Sequence, residues 1–264
     1  MNLYIKKWVG RLGNNMLQLL NVISIGLYYN YNIIIPYHKY FKEKYIILNK
    51  NITIHNEVIT NDDQFFRKHK IKNIDSHLFN DTNIKNKAVI ILKNIFSLQQ
   101  TVPLNNNDVV IHIRSGDIFK TDRGPNPNYP PPPLSYYINI LNNNHFENIY
   151  LIAEDTRNPT INKLLELYPN IRFKLQSLNE DIKLILQSRN VIMSIGTFIP
   201  MLLTISDNIK NVYKTSFETG PIGSHITIHN TNLKEYYKKM FPWKNTEEQR
   251  ELMMTYQCSP ADPC

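Results

Sequence analysis

Alternating strand-like and helix-like segments in the second half of the chain constrain the fold more than any other feature. Strand-like runs at 148–153, 171–175 and 190–194 are separated by helix-like runs at 159–168 and 179–187. Parallel strands need crossover connections of about a dozen residues or more, and helices usually supply them. The alternation therefore predicts an α/β fold with a parallel, Rossmann-like sheet.

A buried strand followed by a charged turn begins this region. Val109 to Ile113 is β-branched apart from His112, which is typical of a buried strand, and Arg114 stands at its carboxyl end. Ligands of open α/β sheets bind at that end, where an arginine offers a rigid fork of donors to phosphate oxygens. His112 would share a sheet face with Arg114, and Gly116 and Asp117 follow on the turn. The pattern predicts a phosphate site; the alternative is a buried strand that ends in a surface salt bridge.

Two further strands of the predicted sheet also end in polar or small residues. Five residues follow or end these strands as further candidates: Glu154, Asp155, Ser194, Gly196 and Thr197, with Phe198 opening the next helix. Hydroxyl groups and the N–H groups of a helix start can bind an anion, although Thr197 is equally suited to capping that helix. Because the carboxyl ends of parallel strands meet at one edge, we expect Arg114, Asp155 and Thr197 around one cleft.

A glycine-rich turn near the N-terminus separates a strand-like run at 3–9 from an apolar helical run at 16–29. Its candidate site residues are Gly10, Arg11, Gly13 and Asn14. Such a turn exposes backbone N–H groups at a helix start. It lacks both the dinucleotide fingerprint and the Gly-Lys-Ser/Thr of a P-loop, so a tight connection that needs small residues is an equal alternative.

Three of these segments resemble fucosyltransferases. The segment His112-Ile113-Arg114-Ser115-Gly116-Asp117 resembles the His-x-Arg-x-Gly-Asp segment of the α-1,2 and the related α-1,6 and protein O-fucosyltransferases, whose arginine binds the diphosphate of GDP-fucose. Gly10-Arg11-Leu12-Gly13-Asn14 resembles their first strand–helix turn, with Asn15 in place of a glutamine. Ser194 to Phe198 resembles their Ser-x-x-Thr/Ser-Phe segment, and Glu154-Asp155 stands where they carry acidic residues.

The resemblance implies a GT-B fold, with two Rossmann-like lobes facing a cleft. It also implies inverting transfer of a sugar, L-fucose from GDP-fucose, to a glycan hydroxyl, with the residues above binding the donor. The general base is not identified, and Asp117 and Asp155 are the candidates. The sequence has no Asp-x-Asp signature, so we expect no metal and no cofactor beyond the donor. Arg114 and a helix N-terminus would then neutralise the leaving diphosphate.

Composition and charge narrow the class of protein. The net charge of +8 comes from scattered basic residues without a nucleic-acid-binding signature, so we expect a nucleotide sugar and a glycan as partners and no nucleic acid. Cys258 and Cys264 make neither a disulfide framework nor a zinc site. No apolar run could span a bilayer and no signal-peptide core follows Met1, which predicts a soluble, cytoplasmic protein.

The domain prediction has three parts: an acceptor-side α/β lobe at 1–107, a nucleotide-sugar-binding lobe at 108–230, and a C-terminal helix and tail at 231–264 that packs back on the lobes. In the first lobe we predict strands at 51–54 and 88–92 and a helix near 62–69.

The four prolines at 130–133 predict a stiff loop over the mouth of the site, because proline adopts extended geometry and donates no N–H. Tyr129 and Tyr136, on either side of the run, are candidate contacts to a sugar or a base. His38 shows no metal-ligand spacing, and we expect a surface histidine or one with satisfied hydrogen bonds.

Two other functions stay open on the sequence. One is a transferase of the same fold that uses another nucleotide sugar. The other is a non-catalytic glycan- or nucleic-acid-binding module, whose binding to a nucleic acid would fall steeply with salt.

Overall fold

Two α/β units, Met1–Gln99 and Gln100–Cys264, make up the chain in the computed structural model. The structure describes residues 1–49, 58–60 (backbone only), 75–98, 102–120, 124–218, 220 and 222–258. The predicted strand at 51–54, the predicted helix near 62–69 and Cys264 lie outside these residues.

Unit 1 is built on a four-stranded, mainly parallel sheet. Its elements are β1 (Asn2–Tyr4), α1 (Leu12–Tyr29), β2 (Asn32–Ile34), β3 (Tyr45–Ile46), β4 (Val58–Thr60) and α2 (Thr82–Ile95). The strand order is β3-β2-β1-β4, in which β1 pairs in parallel with β2 and β4, and only the β2–β3 pair is antiparallel. The predicted order of strand, glycine turn and helix is confirmed, with α1 beginning at Leu12 and not near residue 16.

The strand that we predicted at 88–92 is wrong, because these residues lie within α2. The buried side chains of this helix are Ala88, Leu92 and Ile95, whose spacing of four and three residues places them on one helical face. Asp81 caps the helix by accepting hydrogen bonds from the N–H groups of Asn83 and Ile84. Burial of that face outweighs the β propensity of the Val-Ile-Ile run.

Unit 2 is built on a six-stranded sheet whose neighbouring strands are all parallel. Its elements are β5 (Val109–His112), α3 (Leu134–Asn143), β6 (Ile149–Ile152), α4 (Pro159–Leu167), β7 (Ile171–Phe173), α5 (Leu178–Gln187), β8 (Asn190–Ile192), α6 (Phe198–Ile205), β9 (Asn211–Thr215), β10 (Thr227–Thr231), α7 (Lys234–Met240) and α8 (Glu247–Thr255). The order is β10-β9-β8-β5-β6-β7, which is the doubly wound order 3-2-1-4-5-6 when β5 is counted as strand one. The predicted α/β alternation is confirmed.

The C-terminal segment belongs to the core of unit 2. Trp243, Met240 and Met253 are buried in the same hydrophobic cluster as Ile111 of the central strand. The indole N–H of Trp243 donates to the backbone oxygen of Ile118 at 2.8 Å, on the turn that follows Arg114. The end of the chain therefore supports the loop that carries the candidate site.

Two elements of unit 2 have no counterpart in the sequence predictions. β10 lies at the sheet edge with most of its residues exposed, and α8 buries only Met253. Neither carries the apolar periodicity on which the predictions depend. Within the described part of the chain, no helix combines the length and the apolar character that a membrane crossing requires.

Candidate active site

The strand order of unit 2 creates a crevice at one point of the sheet. β5 lies between β6 and β8, and the chain runs outward from β5 on one side and from β8 on the other. In doubly wound sheets this switch in direction leaves a gap at the carboxyl ends of the two central strands, where ligands bind. The segments at that gap are the turn after β5 and the start of α6 after β8. The first of these carries Arg114 and the second carries Gly196.

Arg114 is held from several sides at this crevice. Its guanidinium carbon lies 4.2 Å from the centroid of the Tyr129 ring, and Nη2 donates to the Asp117 carboxylate at 3.0 Å. The side chain is 16% exposed. Among the described residues, the buried Nε has no hydrogen-bond partner. A buried donor without a partner costs free energy, so this position is not optimised for stability alone.

Gly196 allows the guanidinium to lie against the backbone. Its φ of +112° is a conformation that only glycine adopts readily, and a Cβ placed there would lie 2.3 Å from Nη1 of Arg114. The backbone N–H of Gly196 donates to the carboxylate of Glu218 at 2.9 Å. A cationic group and a backbone N–H donor thus stand together just before α6, where the helix dipole also favours negative charge.

Asp155 fixes the turn after β5. Its Oδ1 accepts hydrogen bonds from the Ser115 hydroxyl at 2.5 Å and from the Gly116 N–H at 3.2 Å, while Oδ2 pairs with Arg157 at 2.8 Å. Burial alone would raise the pKa of Asp155, but these hydrogen bonds, with one from the Arg157 N–H, and the Arg157 charge bring the pKa below its usual value. Asp155 is therefore an ionised residue that positions the loop of Arg114.

Asn158 completes this support, although it was not among the site residues predicted from the sequence. Its side-chain amide donates to the backbone oxygen of Arg114 at 3.0 Å, and its Oδ1 accepts from Thr160 as the N-cap of α4. Its backbone N–H donates to the Ser115 hydroxyl at 3.1 Å. The signal that could have found it is Asn before Pro159 at a helix start, just after an acidic strand end.

Other predicted residues also lie at this edge. The His112 ring at the end of β5 lies 5.9 Å from the ring of Phe198, the first residue of α6. Gly116 has a φ of +60°, and a Cβ there would lie 2.3 Å from the Glu154 carboxylate, so Glu154 packs directly over the turn. The structure therefore groups these four residues with Arg114 and Asp155 at the ends of three neighbouring strands.

Three expectations for side chains at this edge need correction or refinement. The Ser194 hydroxyl is buried, and it has no hydrogen-bond partner among the described residues. Tyr136 is fully buried and donates to the backbone oxygens of Met193 and Tyr213, so it cannot contact a substrate. Thr197 precedes α6, but its side chain makes no capping hydrogen bond to the helix. Sequence position alone does not show which way a side chain points once the strand has ended.

The glycine turn of unit 1 has a different construction. Gly10 has a φ of +73°, and a Cβ there would lie 2.3 Å from Nδ2 of Asn14. Gln18 closes the preceding loop, since its side chain donates to the Lys7 oxygen and accepts from the Val9 N–H. Arg11 is exposed and precedes the helix. Gly13 is a buried residue within α1, and its φ is not positive.

His38 of unit 1 is the satisfied histidine that the sequence suggested. The Tyr40 N–H donates to Nδ1 at 3.2 Å, which places the ring proton on Nε2, 3.2 Å from Oδ1 of Asn15. Burial, with a smaller contribution from Lys39, lowers the pKa of His38. Among the described residues, no group of three or more His, Cys, Asp or Glu side chains is arranged to hold a metal ion.

Comparisons with known proteins give a distant structural likeness. No protein-family model and no curated protein matches the chain. Among solved structures, E. coli heptosyltransferase WaaC with ADP is similar at 10% identity and a TM-score of 0.41, over 90% of this chain and 99% of that one. The functional assignment therefore rests on the strand order and the side-chain geometry of unit 2.

Proposed function

We propose that the protein is a glycosyltransferase of the GT-B type that transfers a sugar from a nucleotide sugar, with GDP-fucose as the donor, to a glycan hydroxyl. The observation that carries this proposal is the Arg114 guanidinium lying against Gly196 at the switch point of a doubly wound sheet. That crevice is where such sheets bind nucleotides, and its donors match a diphosphate. The resemblance of the three sequence segments to fucosyltransferases supplies the choice of donor.

Arg114 would act on the leaving group in this reaction. Negative charge grows on the diphosphate as the bond to the sugar breaks, so a fixed cation stabilises the transition state more than the ground state. The Tyr129 ring and the Asp117 carboxylate hold the guanidinium plane in place before the donor arrives. The N–H of Gly196 and the start of α6 add a second set of donors that need no metal.

Asp117 is a better candidate for the general base than Asp155. The oxygens of Asp155 are already occupied by Ser115, Gly116 and Arg157. The Asp117 side chain is 46% exposed and forms an ion pair with Arg114 at 3.0 Å. A diphosphate that draws the guanidinium toward itself would weaken this ion pair and leave the carboxylate better able to accept a proton.

The test is a donor screen that combines hydrolysis and thermal shift. The protein is incubated with GDP-fucose, GDP-mannose, UDP-linked sugars and ADP-linked sugars, and release of nucleoside diphosphate is measured beside the melting temperature. We expect hydrolysis and stabilisation with GDP-fucose, because a ligand that binds only the folded state raises its melting temperature. A preference for another donor would retain the transferase and reject the sugar. If no donor is turned over and no donor stabilises the protein, the proposal of a transferase is rejected.

A further inference from the structure

Glu218 occupies a hydrogen-bond donor of the proposed diphosphate site. One carboxylate oxygen accepts from the Gly196 N–H at 2.9 Å, and the other accepts from the Gly220 N–H at 2.9 Å. Charge-assisted hydrogen bonds of this kind are stronger than neutral ones. The anion at the start of α6 is therefore the protein's own side chain.

This carboxylate and a phosphate oxygen cannot use the Gly196 N–H at the same time. Two like charges within about 4 Å of each other disfavour one another. The Arg114 guanidinium lies next to the same glycine, so a diphosphate bound to Arg114 would extend toward the place that Glu218 occupies. Binding of the donor then requires the carboxylate to leave.

The movement needed for this exchange is small, because the backbone at Glu218 is anchored independently of its carboxylate. The Glu218 N–H donates to the Thr215 oxygen at 3.1 Å, and the Lys214 ammonium donates to the Glu218 backbone oxygen. Burial lowers the pKa of the half-buried Lys214 on β9, and the nearby Glu218 charge opposes this shift, so the ammonium attracts Glu218 electrostatically as well. Rotation of the Glu218 side chain alone would open the Gly196 N–H.

We propose that Glu218 is a built-in competitor of the donor diphosphate, which vacates the Gly196 N–H when the donor binds and returns when the nucleoside diphosphate leaves. This inference rests on the proposed function. It makes Glu218 a specificity-determining residue, because only a ligand with strong negative charge at this point displaces a carboxylate. A neutral nucleoside gains nothing from the exchange, whereas a diphosphate does.

The experiment measures binding by calorimetry to the full chain, with GDP, inorganic pyrophosphate and guanosine as probes. The variants are Glu218→Gln, which keeps the shape and removes the charge, and Glu218→Ala, which removes the group. Glu235→Gln is the matched control, because Glu235 is an exposed glutamate of the same unit that pairs with Lys238. Melting curves without and with GDP accompany each variant.

We expect Glu218→Gln and Glu218→Ala to bind GDP and pyrophosphate about tenfold more tightly than the wild type, which corresponds to about 1.4 kcal/mol. Guanosine affinity and the Glu235→Gln variant should not change. The two Glu218 variants should melt at a lower temperature without ligand, because Ala removes both acceptor oxygens and Gln replaces one of them with an amide donor. Both variants should show a larger shift of the melting temperature with GDP. If Glu218 had only a structural role, its variants would melt at a lower temperature without binding GDP or pyrophosphate more tightly.

Other results would overturn the inference in distinguishable ways. Wild-type binding of GDP with unchanged or weaker binding in both Glu218 variants would reject the competitor and leave the proposed function standing. Failure of the wild type and of both variants to bind any of the charged probes would reject the diphosphate site, and the competitor with it.

Discussion

The two units use a glycine in the loop between a strand and the next helix for opposite purposes. In unit 1, Gly10 adopts a positive φ beside the side chain of Asn14, and the surrounding polar groups bond the loop to itself through Gln18. In unit 2, Gly196 adopts a positive φ beside the guanidinium of Arg114, and its N–H is directed at a carboxylate. The first arrangement closes a turn, whereas the second gathers charge at one point.

This difference shows what a glycine motif does and does not predict. At both positions the positive φ favours glycine, and a Cβ would lie 2.3 Å from a side-chain nitrogen that would have to move. The two units differ in the chemistry of that nitrogen, which belongs to a neutral amide in unit 1 and to a charged guanidinium in unit 2. A glycine with positive φ in such a loop therefore indicates that a side chain lies close to the backbone. The charge of that side chain decides whether the loop can bind an anion.

Removal of Arg114 should have the largest effect, because it removes the charge that distinguishes the loop of unit 2 from that of unit 1. Loss of a close charge-assisted pair typically costs about 2–5 kcal/mol, or about 30- to several-thousand-fold in rate. We expect Arg114→Ala to lose this much turnover at saturating donor and Arg114→Lys to lose less, because lysine keeps the charge without the planar fork. Arg172→Ala, an arginine on edge strand β7 of the same sheet, is the control. Wild-type turnover in Arg114→Ala would contradict the mechanism, and a collapsed melting temperature in that variant would favour a structural salt bridge.

Gly196→Ala should have the next largest effect. The added Cβ would push the guanidinium away, so donor affinity should fall at least about tenfold. The strain of a non-glycine residue at positive φ costs about 1–3 kcal/mol in addition. Gly124→Ala separates the two contributions, since Gly124 also has a positive φ, +64°, and no atom of the described residues lies within 4 Å of its Cβ position. Equal loss of GDP affinity in both variants would show that strain alone is responsible.

The fold of unit 2 was predictable because its central strands are β-branched runs followed by helices with clear periodicity. The position of Arg114 beside the start of α6 followed from the same pattern, since carboxyl ends of parallel strands share an edge. Glu218 was not predictable, because its contact with Gly196 depends on the path of a turn after β9. Tyr136 was wrongly expected to contact a substrate, because the sequence does not show that α3 turns this side chain into the core.

Gly10→Ala tests the loop of unit 1 and should have a smaller effect. The Cβ would displace the Asn14 amide, and the positive φ would cost about 1–3 kcal/mol of stability. Because Arg114 and Gly196 lie in unit 2, we expect GDP affinity to be retained while transfer to an acceptor falls several-fold. Calorimetry with GDP and a transfer assay with a glycan acceptor separate the two quantities. Unchanged transfer would make the loop a structural connection only.

Asp155 should affect the dependence of stability on pH. Its lowered folded-state pKa means that it stabilises unit 2 above its unfolded pKa of about 3.9, and that this contribution is lost as pH falls through the folded value. Urea unfolding at pH 7 and at pH 3 should show that wild type loses more stability on acidification than Asp155→Asn. The difference should be about 1 kcal/mol or less, since the pair with Arg157 is partly exposed. An equal loss in both proteins would contradict this.

His38 should have the smallest effect of all, and it allows the pH dependence of stability to be tested in unit 1. A histidine whose folded pKa is lowered binds its proton less readily when folded than when unfolded, so stability falls as pH drops below the unfolded value of about 6.5. The physical reason lies in the ring: protonation would put a hydrogen on Nδ1, which now accepts from the Tyr40 N–H. Between pH 7 and pH 5, α1 should lose amide-exchange protection in the wild type, because Asn15, the partner of Nε2, lies in that helix.

His38→Gln should lose less protection over the same interval, and His77→Gln, an exposed histidine of the same unit, should behave as the wild type. Equal losses in His38→Gln and wild type would show that another group controls unit 1 in acid.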